Sequence, residues 1–250
     1  MNGAPLLVVA GFLAGAVNAV SGGGSLISFP ALLAVGYPAV SANVTNTVAI
    51  WPGYLSSAIG YRADLDGQRP RMLALGVTTI VGAICGATIL LTAPKALFRA
   101  VVPWLLLLAA ALLAVQPRLA VRVQKLKGGS GEHRSVLLHV GSFLGAVYGA
   151  YFGAGVSVLL LGVLGLFLPD RIHRLNALRS ILVLIVNTVA MVVFALFGPV
   201  AWGAVAVMSA ASLLGGWTGA KVARRLDASA LRAAVVVIAV AVAVVLLIRL

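Results

Sequence analysis

Ser21-Gly22-Gly23-Gly24-Ser25 interrupts an apolar run that is otherwise long enough to cross a membrane. A helix that stops at membrane depth exposes backbone N–H groups and the positive end of its dipole, the elements of an anion site. Glycine lets a ligand approach the backbone, and Ser25 is placed to cap a half-helix beginning near Leu26. A second interruption, Tyr151-Phe152-Gly153-Ala154-Gly155 with Ser157 close behind, stands in the later half of the chain. The segment after each interruption opens with polar side chains. These are Ser41, Asn43, Thr45, Asn46 and Thr47 in the first case, and Asn176, Arg179 and Ser180 in the second. Asn176 and Arg179 share a helix face at i, i+3. A guanidinium inside a span is costly, and its fork suits a bidentate oxyanion such as sulfonate, sulfite or carboxylate. The same arginine would also serve as a topology signal by snorkelling to the interface, and spacing alone does not separate the two roles. Asn187, deeper still, reads as an amide joining helices.

Composition decides what kind of elements must position these residues. The chain has 250 residues, 62% hydrophobic and only 9% charged, with uncharged runs near 20 residues along its whole length. That is an all-α polytopic membrane protein, not a β-barrel, which would show short alternating segments. The net charge of +13 comes from 18 Lys/Arg against 5 Asp/Glu. The basic residues fall in short gaps between apolar runs, so they mark topology and not a nucleic-acid surface. No Lys or Arg precedes Arg62, so no cleaved signal peptide is expected. Cys85 is single, and His133, His139 and His173 are scattered, so neither a metal nor a cofactor is expected. No HExxH or GxSG motif is present, and the chain is not expected to be an enzyme. Asp64, Asp66, Glu132, Asp170 and Asp227 all fall in loops or at segment ends. Without a carboxylate at mid-membrane, hydroxyls, amides, helix N-termini and one arginine favour an anion over a cation.

The chain also repeats itself. "GFLAGAVNAVSGGGSLIS" at 11–28 aligns with "GSFLGAVYGAYFGAGVSV" at 141–158, pairing Gly11 with Gly141, Gly15 with Gly145 and Gly23 with Gly153 at an offset of 130. The same offset pairs Asn46 with Asn176, whereas "GAICGA" at 82 and "ALFRAVV" at 96 find their copies at an offset of 133. Glycines spaced four apart along these runs are small-xxx-small packing faces. Three adjacent glycines point in three directions around a helix, so packing does not require all of 22–24. Each copy has about four apolar segments, and the first of each is broken by glycines. The expected organisation is a first repeat at 1–117, a basic cytoplasmic linker at 118–135 and a second repeat at 136–250.

Charge decides the topology. If all eight segments cross once, the basic residues divide nine and nine between the two sides. If the broken segment 136–169 starts and ends on one side, 15 fall on the cytoplasmic side and 3 outside. The second arrangement obeys the positive-inside rule. The broken segments are then either re-entrant half-helix pairs or double short spans, and the two repeats have inverted topology, the plan of many secondary transporters.

The stretches "ANVTNTVAIWPGYLSSAIGYRADL", "PKALFRAVVPWLLLLAAALLAVQPRL", "GAVYGAYFGAGVSVLLL" and "HRLNALRSILVLIVN" resemble the sulfite exporter TauE/SafE-like family, the toluene sulfonate uptake permeases, over essentially the whole chain. The resemblance implies a multi-pass protein of the inner or plasma membrane that moves sulfite, organosulfonates or other small anions, usually outward, by alternating access. Its partners would be that small anionic substrate and the bilayer, with homo-oligomer formation open and no nucleic acid. Carried over by position, the substrate-binding set is Ser21, Gly22, Gly23, Gly24, Ser25, Asn43, Thr45, Asn46, Tyr148, Tyr151, Gly153, Gly155, Asn176 and Arg179. The family often has lysine where this chain has Arg179, which keeps the charge but changes the donor geometry. A passive anion channel, or an uptake permease for another small anion, remains the alternative.

Overall fold

The apolar runs become ten α-helices in the computed structural model, which describes residues 3–20, 23–125, 132–222 and 228–248. Each copy contributes five helices, because the glycines divide its first segment in two. In the first copy these are α1 (Ala4–Val20), α2 (Ser25–Ala34), α3 (Ala39–Gly60), α4 (Arg69–Thr92) and α5 (Lys95–Lys125). In the second they are α6 (Glu132–Tyr151), α7 (Val156–Phe167), α8 (Ile172–Phe197), α9 (Trp202–Val222) and α10 (Ala228–Ile248). Among the described residues there is no strand. Four helices are long and apolar enough to cross a bilayer. α3 is also long, but Ser41, Asn43, Thr45, Asn46 and Thr47 make it polar at one end.

The glycine breaks are turns back, not continuous crossings. Gly3 at the start of α1 lies against Val35 at the end of α2. In the second copy Gly141 lies against Val163, Gly145 against Leu159 and Leu160, and Gly149 against Val156. Both pairs are antiparallel hairpins that return to the end they left. α2 has 10 residues and α7 has 12; at about 1.5 Å per residue neither spans a bilayer about 30 Å thick. Each break therefore joins a longer helix to a short one that returns toward the same end.

Contacts between the copies are reciprocal. α1 packs on α9, and the equivalent α6 packs on α4. Both contacts are parallel and built on glycine: Gly11 and Gly15 meet Met208 and Ser212, while Gly82 and Gly86 meet Phe143 and Val147. A Cβ on Gly15, Gly86 or Gly215 would overlap a backbone carbonyl of the neighbouring helix, which is why these positions admit no side chain. The equivalent helices α3 and α8 run antiparallel. Ser41 donates to the carbonyl of Pro199 at one end, and Trp51 Nε1 donates to Thr188 Oγ1 at 2.9 Å near the middle.

Two expectations need correction. α3 starts at Ala39 and α8 at Ile172, an offset of 133. Asn43 therefore corresponds to Asn176, and Asn46 to Arg179, because the extra residues of the second copy lie before α8 and not after it. Residues 118–125 of the expected linker are helical, since Leu119 packs against Gly162 of α7 and carries α5 onward past Pro117.

Replacing Gly15 with leucine should lower the thermal unfolding midpoint of the detergent-purified protein or abolish its folded yield, at an overpacking cost of about 1–3 kcal/mol. Gly203→Ala, where an added Cβ meets nothing, should leave the midpoint unchanged.

Candidate functional site

Each break is held by one side chain of its own copy, at equivalent positions. In the first copy Asn18 Oδ1 accepts the backbone N–H of Gly24 at 2.8 Å. In the second, Tyr148 donates its hydroxyl to the carbonyl of Ala154 at 2.6 Å. Gly23 and Gly153 both take positive φ, 104° and 83°, as does Gly155 at 79°; this is backbone that glycine adopts without strain. The first break also closes on itself: Leu26 N–H donates to Gly23 O, and Ile27 and Ser28 N–H both donate to Gly24 O. The expected row of free N–H groups is thus largely occupied. Nor does Ser25 cap α2. It is already the first helical residue, and its hydroxyl turns toward Tyr54 Oη at 3.5 Å. Ser21 and Gly22 lie outside the described residues.

Two of the buried side chains left with an unpartnered atom lie together. Asn18, Gly53, Tyr54, Ser57, Ser157, Arg179, Ser180 and Val183 line a small cavity of about 10 Å³, room for about one water. Asn18 belongs to the last turn before the first break, and Ser157 to the first turn after the second, so the cavity sits between the two breaks. Arg179 is 9% exposed and Asn18 8%. Arg179 Nε and Asn18 Nδ2 are buried and have no hydrogen-bond partner. Gly53 allows the closest approach, since a Cβ there would stand 3.7 Å from Asn18 Nδ2. No carboxylate pairs with Arg179 among the described residues, where both ion pairs are made by Asp170. Nor is there a His/Cys/Asp/Glu group suited to a metal among them. Chemically the cavity offers one guanidinium, one amide and several hydroxyls, with no negative charge. That is a complement for an anion.

The other sequence-selected residues divide from Arg179. Asn43 donates to the carbonyl of Tyr151 at 2.9 Å, and Asn46 Oδ1 accepts from Ser28 Oγ. Thr45 Oγ1 accepts from Ala201 N–H at 2.9 Å. The Tyr151 ring meets Phe98 edge-on at 5.5 Å, and Phe152 meets Phe29 in the same way. Asn43 and Tyr151 thus serve the second break, Asn46 ties to α2 after the first, and Thr45 ties to the residue before α9; none of them lines the cavity. Asn176 donates to its own helix at Ile172 O and does not reach it. Sequence reading missed Asn18, Tyr54 and Ser57. Asn18 had one legible signal: it is the only polar side chain in α1.

These features sit in a chain that matches the family described as Sulfite exporter TauE/SafE over residues 7–246. The chain belongs to this family. Among TauE/SafE relatives, it is 28% identical to a "Probable membrane transporter protein" of Haemophilus influenzae, over 93% of this chain and 89% of that one. It is 27% identical to the "Probable membrane transporter protein ORF9" of Sinorhizobium sp, over 96% and 91%. It is 25% identical to YfcA of Escherichia coli, also named a probable membrane transporter protein, over 88% and 79%. No solved structure matches the chain significantly. The protein is a multi-pass membrane transporter of the TauE/SafE family.

At the end of the bundle beyond Ser57, polar contacts tie loops 61–68 and 168–171 together. Arg71 of α4 meets Asp170 at 2.7 Å, and Arg174 of α8 meets it at 3.1 Å. Arg174 also donates to Asp66 O, and Gln68 Nε2 bridges the carbonyls of Asp64 and Arg174. Partial burial works against the charge on Asp170. The backbone N–H of Arg171 and the guanidiniums of Arg71 and Arg174 outweigh it and hold the carboxyl below its usual value. A lowered carboxyl keeps its contribution above its unfolded value and loses it as the pH falls through the folded one.

In a Cys85→Ala background, a cysteine at Ser57 should label faster from this side when Asp170 becomes asparagine. The gain should be about 2- to 5-fold, the share of a partly exposed pair of about 0.5–1 kcal/mol. With Asp170 intact the same gain should appear only below about pH 4.

Proposed function

We propose that the protein is a secondary transporter that exports small sulfur-containing or organic anions, sulfite and organosulfonates among them, by alternating access. The observation that carries this is the pair of buried, partnerless donors, Arg179 Nε and Asn18 Nδ2, on two residues that line one small cavity between the two breaks. Leaving a buried polar group unpaired costs about 1–3 kcal/mol, and more if it is charged. A bound oxyanion removes both penalties at once, because it can accept from the guanidinium and from the amide. The family description, sulfite exporter, supports the substrate class and the direction.

In this reading the two repeats, 1–117 and 136–250, are inverted about the membrane plane, with the basic stretch 118–135 in the cytoplasm of a cell whose inner or plasma membrane holds the protein. The antiparallel α3 and α8 and the reciprocal α1–α9 and α6–α4 contacts support that plan. The end carrying Arg71 and Arg174 is then cytoplasmic. The structure is closed around the cavity, which is too small for sulfite, so the substrate enters only after that end opens. The repeats supply the opposite movement by symmetry. In this reading the protein acts as a carrier. A passive channel would use the same donors but give flux that does not saturate.

In proteoliposomes, labelled sulfite or sulfoacetate should show saturable counterflow. Arg179→Ala should weaken apparent affinity about 30-fold or more, the loss expected from truncating one partner of a buried charge pair at about 2 kcal/mol or above. Arg179→Lys should retain part of the flux. Normal transport by Arg179→Ala would remove the site, and linear flux would favour a channel.

A further inference from the structure

We propose that a second cavity, between the first turns of α3 and α5, is a capture site for an oxyanion with a short apolar body. It lies at the end of the bundle opposite the Asp170 network. Its ligand as substrate rests on the transport reading above; its anion chemistry does not.

The cavity has a volume of about 300 Å³ and is lined by Pro38, Ala39, Val40, Lys95, Ala96 and Arg99. That is the lower end of the range for small-ligand sites, roughly 300–1,000 Å³. Four of the six walls are apolar and two are cationic, and no carboxylate pairs with Lys95 or Arg99 among the described residues. The placement of these two cations is unusual for the chain. By the charge count, 15 of its 18 Lys/Arg belong to the other end. Lys95 and Arg99 therefore oppose the topology signal where they stand, and topology does not explain them. One turn of helix separates them, so they share a face of α5 and reach the same opening.

One further feature favours a negative ligand. Both α3 and α5 begin at this cavity, at Ala39 and Lys95, so the positive ends of two helix dipoles converge on it. The floor of the cavity also leads to the second break. Asn43, one turn below Ala39, donates to Tyr151 O. Phe98, beside Arg99, is 1% exposed and closes on the Tyr151 ring. Phe98, on the same turn of α5 as Arg99, thus joins that helix to the second break.

The ligand head is an oxyanion, and it has two sources: a soluble organic anion or a phospholipid phosphate. The test places a cysteine at Ala96 in a Cys85→Ala background, in liposomes. The probes are 2-sulfonatoethyl methanethiosulfonate and its trimethylammonium counterpart. Relative to a free thiol, the anionic reagent should be favoured roughly ten-fold or more, as expected for a focused field. Lys95→Ala with Arg99→Ala should bring the ratio near unity, and Arg99→Lys should keep it. In phosphatidylcholine liposomes, millimolar sulfoacetate should slow the labelling, which assigns the site to a soluble anion. If labelling is slowed by phosphatidylglycerol and not by sulfoacetate, the site belongs to a lipid headgroup. A ratio near unity in the parent protein would overturn the proposal. None of these readings needs flux, so a protein that transports no sulfur oxyanion would fail the function and leave this site standing or falling on its own.

Discussion

A backbone group inside a bilayer has no water to bond, and the architecture turns on the two places where a helix nevertheless stops there. Each stop is made tolerable by one side chain: Asn18 accepts from Gly24, and Tyr148 donates to Ala154. The two contacts are opposite in polarity, one satisfying a donor and the other an acceptor, yet they occupy the same place in the repeat. Once the turns are secured, α2 and α7 need only half the membrane, and their tips can approach residues of the other copy. α5 packs against both turns, through Leu113 at Gly23 and Ala109 at Gly155. The breaks are therefore enclosed by protein, as irregular backbone at this depth must be.

The same constraint creates the functional chemistry. Because Asn18 commits its oxygen to the turn, only its Nδ2 is left for the cavity, beside an arginine that has no acid to neutralise it. The hairpins fix where those donors lie, and the glycine-lined parallel pairs α1–α9 and α4–α6 fix the hairpins against the rest of the bundle. Around the cavity, closure depends on contacts of very different strength. The glycine interfaces are tight and dry. The Asp170 network is polar and half-exposed, and so it is the part that opens at lowest cost.

Much of this was legible in residue order. Hydrophobic runs gave the helices, adjacent glycines gave the breaks, and counting cations led to the expectation that the broken segment returns to its own side. Arg179 stood out because a charge in a span is rare. The sequence was misleading where register depended on packing. Asn46 and Asn176 share an offset, but α8 starts three residues late in the repeat, so Arg179 takes the place of Asn46. Free N–H groups were expected at the first break, and the turn's own carbonyls and Asn18 occupy most of them. Tyr54 and Ser57 carry no pattern of their own; they matter because α3 and α8 run antiparallel and bring them opposite Arg179 and Ser180. Asn43 and Asn46 look like site residues by type, but Asn43 binds the carbonyl of Tyr151 at the second break and Asn46 binds Ser28 of α2.

The central claim is that Arg179 and Asn18 wait for an anion, and ligand-dependent stability of the purified protein tests it most directly. Ligand binding to the folded state alone stabilises by an amount that grows with the logarithm of concentration, about 2.7 kcal/mol at 100 times Kd. The unfolding midpoint of the parent protein should therefore rise steadily with added sulfite or sulfoacetate, whereas that of Arg179→Gln should stay flat while the variant remains folded. Equal shifts in the two proteins, or none in either, would contradict the account.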